Sequence, residues 1–317
     1  MYKKIACFAA ALILVVGIMY RINGNNTMNH VVKINYFLTP EMTPQPALTA
    51  LLTELRIPHD GTLDSIIKAT QTAWLRKPGQ ERWHLEKQYQ DIHATLMLIF
   101  TQLALIDEVQ PLYKHYMYAL MLGSTVQVIR IRLGYLIYLW NKGVRFDTIV
   151  MLGGQRPMDP TIENETTLLN NTESYDVFPF KQGWTLQGDL PNTEITMMRM
   201  VFDQAQLPAG FEKVPVVYID VPMKVTADGK LARPTTGDTI AYWLATNPSI
   251  GSCLAISSQP QVNYQDTVIR TYLPKEFSVE TVGCSIDNPT EKDAIILDAI
   301  ARTLYQGKIV LTQNNKD

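Results

Sequence analysis

From Tyr116 onward, short continuous apolar runs alternate with longer amphipathic segments, and this alternation constrains the possible folds more than any other feature. We interpret the runs as buried strands and the segments between them as helices. Alternating strands and helices predict an α/β fold of the Rossmann-like type, with a parallel sheet covered by helices on both faces. The predicted strands are residues 118–122, 148–152, 214–219, 254–256 and 278–282, and the predicted helices are residues 128–140, 194–206, 238–245, 264–273 and 292–304.

The pattern divides the 317 residues into three parts. Residues 1–28 form a signal anchor and linker, residues 29–115 a helical extension, and residues 116–317 the Rossmann-like domain. Within that domain, residues 157–191 are polar, dotted with aromatic side chains and without a period. A stretch of that length without a period predicts a long inserted loop.

Three segments of the extension have the spacing of helices, namely residues 44–55, 62–74 and 81–109. Residues 94–106 within the third are nearly all apolar, which suits either a second membrane span or a buried core helix. A bilayer needs about 20 apolar residues, so the short run favours the core helix.

The N-terminus has the layout of a secretory signal or a signal anchor. Lys3 and Lys4 precede an apolar run at residues 5–20, and Arg21 follows it. A cleaved signal peptide is one interpretation, but the bulky residues before Arg21 do not form a small-residue cleavage site, which favours an uncleaved anchor. The positive-inside rule then predicts a single-pass protein of the cell membrane, with its bulk on the extracytoplasmic (periplasmic) side.

Composition and spacing exclude several classes of function. The 28 basic and 30 acidic residues leave a net charge of −2 without a basic run, so nucleic acid is not an expected partner. All five histidines, the last of them His115, precede the α/β domain, which excludes a Ser-His-Asp triad inside it. No P-loop motif or zinc-ligand spacing occurs, and we predict no metal site.

Three cysteines are present, and one of them, Cys7, lies in the predicted anchor. Cys253 opens one predicted strand, whereas Cys284 follows the end of the next. In a parallel sheet these positions lie at opposite edges, beyond the distance of about 7 Å between Cα atoms that a disulfide allows. We therefore predict two free thiols.

Small and polar residues follow the predicted strands at the edge where open parallel sheets bind ligands. Glycine turns that lead into helices expose backbone N–H groups, which suits a phosphate, and a guanidinium fork beside them would bind the same anion. The alternative is that the glycines only permit tight turns. The candidate residues at this edge are Gly123, Ser124, Gly153, Gly154, Gln155, Arg156, Ser257 and Ser258.

Two acidic residues, Glu194 and Asp238, open predicted helices. Helix capping and the helix dipole explain both positions locally. The functional interpretation is a pair of carboxylates that converge on the strand-end cleft for acid–base chemistry or metal binding.

The order of the motifs resembles that of the SanA/ElyC/YdcF-like family, whose domain is of unknown function. The resemblance covers roughly residues 116–300 and is carried by six motifs in order. These are Leu122-Gly123-Ser124, the Arg132-Leu133 helix that ends at Gly143, Gly153-Gly154, the helix from Thr193-Glu194 to Pro208, the helix start Thr235-Thr236-Gly237-Asp238-Thr239, and Ser257-Ser258.

The chain departs from the family pattern at several points. The His-x-x-Arg of the family reads Gln261-Val262-Asn263-Tyr264, with Arg270 as a possible substitute, and Asp238 and Thr239 replace the usual Glu and Asn. The resemblance implies a strand-end pocket in which Glu194 and Asp238 are catalytic. It also implies further ligand contacts from Arg132, Thr236, Thr239, Gln261 and Arg270.

The resulting expectation is a membrane-anchored protein that binds or processes a phosphate-bearing, lipid-linked or nucleotide-like ligand in cell-envelope maintenance. A non-catalytic envelope interaction protein with a degenerate pocket is the first alternative. An S-adenosylmethionine-binding protein is the second. The sequence leaves open which cofactor, if any, is used.

Overall fold

A computed structural model describes residues 33–77, 80, 85, 89–170, 178–289 and 292–314 of the chain. Across these ranges, no helix combines the length and the apolar character that a bilayer span requires. The predicted anchor at residues 5–20 lies outside the described residues.

The core of the α/β part is a five-stranded parallel sheet with the strand order β3-β2-β1-β6-β7. All five predicted strands are present, so the parallel sheet is confirmed. A two-stranded antiparallel hairpin, β4–β5, follows β3. The strands are β1 (His115–Leu122), β2 (Arg145–Gly154), β3 (Val216–Val221), β4 (Lys224–Val225), β5 (Leu231–Ala232), β6 (Ser252–Ser258) and β7 (Ser278–Cys284).

The helices are α1 (Pro46–Glu54), α2 (Leu63–Trp74), α3 (His93–Gln102), α4 (Val126–Asn141), α5 (Glu165–Leu169), α6 (Glu194–Gln204), α7 (Thr236–Leu244), α8 (Val262–Tyr272) and α9 (Asp293–Asn314).

Helices cover both faces of the sheet, as predicted. Successive residues of a strand point to opposite faces. Met121 therefore packs with α4 and α6, while Leu120 and Leu122 pack with α7 and α8. This pattern explains why the strands are apolar without alternation.

The strand order of the sheet changes direction between the neighbouring strands β1 and β6. From β1 the strands proceed to β2 and β3, and the chain then returns to place β6 and β7 on the other side of β1. The helices that follow β1 and β6 lie on opposite faces, α4 on one and α8 on the other. Such a switch point opens a crevice at the carboxyl ends of the two strands.

The N-terminal extension shares a core with the last helix. Ile34, Leu48 and Phe100 belong to the same buried cluster as Ile300 of α9. That packing explains why α9 continues to Asn314, ten residues beyond the predicted end at residue 304. The buried side chains of α3 in this cluster confirm a core helix within residues 94–106. The predicted helix at 81–109 is wrong in length, since α3 covers only His93–Gln102.

The segment predicted as a long loop at residues 157–191 is more ordered than its sequence suggests. It contains the short helix α5, whose Leu168 is buried, and Phe178 packs into the main core. The buried Arg130 of α4 donates hydrogen bonds to the carbonyls of Thr167 and Leu168, both at 2.8 Å. Residues 171–177 lie outside the described part of the chain.

Both described cysteines are free thiols, as predicted. Cys253 pairs with Val279 near the start of β6, whereas Cys284 pairs with Ser258 at its end. Parallel register thus separates the two sulfur atoms along the sheet.

Candidate functional site

Glu194 lies at the carboxyl edge of the sheet, at the start of α6. The Thr193 side chain caps this helix by accepting from the N–H of Thr196, and this sets where α6 begins. One Glu194 oxygen accepts from the N–H of Gly154 at 3.2 Å, and the other lies 3.5 Å from Arg156 Nε. Burial raises the pKa of Glu194, and the charge of Arg156 and the bond from Gly154 offset this only in part.

Arg156, predicted to bind a ligand anion, holds carboxylates of its own chain instead. Its guanidinium donates to both oxygens of Glu163, at 2.9 and 3.1 Å. The fully buried Glu163 carboxylate also accepts from the N–H groups of Val126 at 3.1 Å and Asp159 at 2.9 Å. Val126 begins α4, so a protein carboxylate occupies the anion position predicted at this helix start.

Glu163 is the main feature of this edge that the sequence did not reveal. It lies in the stretch without a period that reads as an inserted loop, and no capping or strand-end motif marks it. Its nearest signal is the Asp159-Pro160-Thr161 turn, which positions the backbone N–H of Asp159.

Close packing explains the glycines at this edge. A Cβ atom on Gly123 would lie 2.7 Å from the Glu194 carboxylate, and one on Gly154 would lie 2.4 Å from Pro234. Gly153 pairs with Asp220 in the last register positions of β2 and β3. The space that glycine provides is therefore filled by side chains of the protein itself.

Asp238, the second predicted carboxylate, closes a capping box at the start of α7. Its Oδ2 atom accepts from the N–H and the hydroxyl of Thr235, both at 2.6 Å, and lies 2.5 Å from Lys224 Nζ. Partial burial favours the neutral form, but the bonds from Lys224 and Thr235 hold the pKa of Asp238 below its ordinary value. In the described chain, no hydrogen bond or ion pair joins Asp238 to Glu194.

Buried polar atoms without hydrogen-bond partners cluster where β6 passes into α8. Both polar atoms of the Gln261 amide lack a partner, as does the hydroxyl of Ser257, and these residues are 3% and 0% exposed. The amide nitrogens of Gln259 and Asn263 each donate to the carbonyl of Ala104. The amide oxygens of the same two side chains accept no hydrogen bond. Buried polar groups are nearly always paired, so this cluster fits a bound molecule or ordered water.

Other predicted contacts also belong to this edge. Arg132 is buried and donates to the carbonyls of Leu122 and Gly123 at 2.7 and 3.0 Å, so it supports the end of β1. The carbonyl of Ser124 accepts from Arg156 at 3.2 Å, and the Gln155 amide donates to Asp220 at 3.3 Å.

On the α7–α8 side of the sheet, the predicted residues separate into two groups. The hydroxyl of Thr236 donates to Gln265 at 3.1 Å, and that of Thr239 donates to the carbonyl of Thr236 at 2.9 Å. Ser258 ends β6 beside Cys284. Arg270 lies elsewhere, since it donates to Asp266 and to the carbonyl of Val279 near the start of β7. Parallel strands start and end at opposite edges, so Arg270 lies at the edge opposite the predicted cleft and does not line it.

In the residues that the structure describes, no three His, Cys, Asp or Glu side chains are arranged to hold a metal ion. The arrangement instead offers a partly buried carboxylate with a raised pKa, that of Glu194, and, across β1, a buried set of neutral hydrogen-bonding groups.

Comparisons with models of protein families, with curated proteins and with solved structures find no match to this chain. The likeness to SanA/ElyC/YdcF-like proteins therefore depends on the ordered motifs alone. The Rossmann-like parallel sheet is established by the structure itself.

Proposed function

We propose that this protein binds a polar small molecule at the carboxyl edge of its sheet, between the start of α8 and the Glu194 carboxylate. The observation that carries the proposal is the buried Gln261 amide, neither of whose polar atoms has a partner. Leaving a buried polar group unpaired costs about 1–3 kcal/mol, and a bound ligand would remove that cost. The switch point between β1 and β6 is where such sheets bind ligands.

The chemistry of the cluster favours a neutral, hydrogen-bond-donating part of the ligand. Three of its unpartnered atoms are amide oxygens, those of Gln259, Gln261 and Asn263, and these accept hydrogen bonds. Gln261 also offers two amide hydrogens, and Ser257 can donate or accept. Hydroxyl or amine groups of a nucleotide-like molecule suit this set, whereas a phosphate would face mainly oxygens.

Glu194 is the proposed proton-transfer group. Its side chain is only 13% exposed, and its partial burial raises its pKa towards neutral pH, where a carboxylic acid exchanges protons most effectively. The bonds from Gly154 and Arg156 fix its position. Asp238 serves its helix cap in this proposal and takes no part in catalysis.

The membrane anchor and the extracytoplasmic location remain part of the proposal. They are supported by Lys3, Lys4 and the apolar run at residues 5–20. Protease digestion tests both, by comparing cells whose inner membrane is intact with cells whose inner membrane has been broken. Digestion of residues 33–314 in cells whose inner membrane is intact would agree with the proposal, and protection there would contradict it.

Thermal-shift screening of the full chain tests ligand binding. The panel contains nucleotides, S-adenosylmethionine, polyprenyl phosphates and sugar phosphates, with wild type compared to Gln261→Leu and Glu194→Gln. A ligand at 100 times its Kd adds about 2.7 kcal/mol to the unfolding free energy. We expect Gln261→Leu to abolish this gain, while the exposed control Gln102→Leu retains it.

Each outcome separates the alternatives. Equal stabilisation of all variants would place the ligand elsewhere and contradict the proposal. No stabilisation by any compound would favour the non-catalytic interaction protein, and a response to S-adenosylmethionine alone would favour the second alternative.

A further inference from the structure

The described part of the molecule also has a cavity whose lining residues differ from those of the strand-end edge. A cavity of about 860 Å³ opens between residues 181–191, the outer face of α6 and the edge strand β3. Ligand pockets in proteins have about 300–1,000 Å³, so this volume suits a small molecule. None of the residues predicted from the sequence to bind a ligand lines it.

Trp184 provides an aromatic surface in this cavity, held in a fixed orientation. Its indole N–H donates to Asp203 Oδ2 at 2.8 Å, and its ring meets the edge of Phe180 at 6.2 Å between centroids. Asp203 also forms an ion pair with Lys181 at 3.1 Å, so these two charges neutralise each other. The ring is therefore positioned by the protein before any ligand arrives.

Arg199 contributes a guanidinium group with free hydrogen-bond donors. Its Cζ atom lies 4.0 Å from the centroid of the Tyr218 ring, and no carboxylate of the described residues pairs with it. Asp189 and Glu212 also line the cavity, and both are exposed and without an ion pair in the described chain. Planar donors and planar acceptors thus line the same cavity as the Trp184 ring.

This combination decides between ligand classes. A phosphate or another compact anion would meet Arg199 but also the two unpaired carboxylates, Asp189 and Glu212. A purely apolar ligand would remove water from all three charged groups without pairing them, at a cost of several kcal/mol. A neutral ligand with many hydroxyl groups satisfies donors and acceptors together, and the C–H face of a sugar ring suits the negative face of an indole.

We propose that the cavity binds a neutral saccharide, with one sugar ring on Trp184 and its hydroxyl groups bonded to Arg199, Asp189 and Glu212. The proposal does not depend on the strand-end function, since the two sites share no residue.

Saturation-transfer NMR and calorimetric titration of the full chain test this inference. The probes are glucose, N-acetylglucosamine and their β-1,4-linked disaccharides, and any detergent must lack a sugar headgroup. We expect saturable binding, weakened about tenfold or more by Trp184→Ala and by Arg199→Met, as for an anchoring contact of about 1.4 kcal/mol or more. Tyr242→Ala, an exposed aromatic residue on α7 across the sheet, is the control and should leave the affinity unchanged.

Absence of saturable binding by all four sugars would overturn the inference. Tighter binding of glucose 6-phosphate than of glucose would overturn the neutral class. If Trp184→Ala unfolds residues 181–191, Glu212→Gln outside that segment still tests the site. Unchanged affinity in this variant and in Arg199→Met would place the sugar elsewhere.

Discussion

The Glu194 carboxylate occupies the space beside Gly123 that any larger residue there would need. A Cβ atom on Gly123 would lie 2.7 Å from both Cδ and Oε2 of Glu194. The carboxylate cannot withdraw freely, because Gly154 and Arg156 hold its two oxygens. The glycine at the end of β1 and the acid at the start of α6 therefore form one packing unit.

Gly123→Ala should lower the unfolding free energy by about 1–3 kcal/mol, the usual cost of overpacking. Urea denaturation measures it. In a Glu194→Ala background the same substitution should cost markedly less, since the clashing group is gone. Equal costs in both backgrounds would show that the clash is with something other than Glu194.

Glu194→Gln should change how stability depends on pH. Because the folded state raises the pKa of Glu194, its contribution to stability is fully present below the ordinary glutamate value of 4.5 and is lost as pH rises through the folded pKa. The stability of wild type relative to the variant should therefore fall with rising pH from about 4.5. Urea titrations at a series of pH values measure this difference. A constant or rising difference would indicate that Arg156, rather than burial, dominates.

Glu163→Gln should be strongly destabilising, by about 3–5 kcal/mol, because it removes one partner of a buried ion pair. The Glu163 side chain is 0% exposed and that of Arg156 13% exposed. The control is Asp228→Asn, which breaks the solvent-exposed Lys230–Asp228 pair and should leave the unfolding free energy nearly unchanged. Similar costs for the two variants, compared by chemical denaturation, would mean that Glu163 is not buried in a paired state.

Gln261→Leu should leave the stability of the ligand-free protein unchanged or slightly raised. The substitution replaces an amide without partners by an apolar group of similar size. Calorimetric melting of the ligand-free chain measures it. A loss above about 1 kcal/mol would show that the amide is already paired with ordered water and has a structural role.

Asp238→Asn should cost up to about 1 kcal/mol, since the amide keeps part of the cap but loses the charge beside Lys224. The folded state lowers the pKa of Asp238, so this cost should be present above its ordinary value of 3.8 and disappear as pH falls through the folded pKa. Thermal melts at several pH values test it. Lost ligand stabilisation at unchanged stability would instead assign Asp238 to the ligand.

The candidate site was only partly predictable. Thr193 and Thr235 mark the starts of α6 and α7 through local capping preferences, so Glu194 and Asp238 could be placed at helix starts from the sequence. Glu163 could not, because its partner Val126 lies 37 residues away and no local pattern encodes that contact. Arg270 was misplaced for a similar reason, since its distance from the start of α8 carries it to the opposite edge.

The sequence by itself determined the layers of this protein. Apolar runs of strand length and amphipathic segments bury their side chains in the same way wherever they lie, so local pattern was enough to predict the parallel sheet, its two helical faces and the free thiols. Only the tertiary structure decided which groups meet. It joined residues near Ile34 to α9, filled the space beside the strand-end glycines with Glu194 and Pro234, and formed a cavity beside Trp184. Such contacts depend on the shapes of distant segments, which no short stretch of sequence specifies.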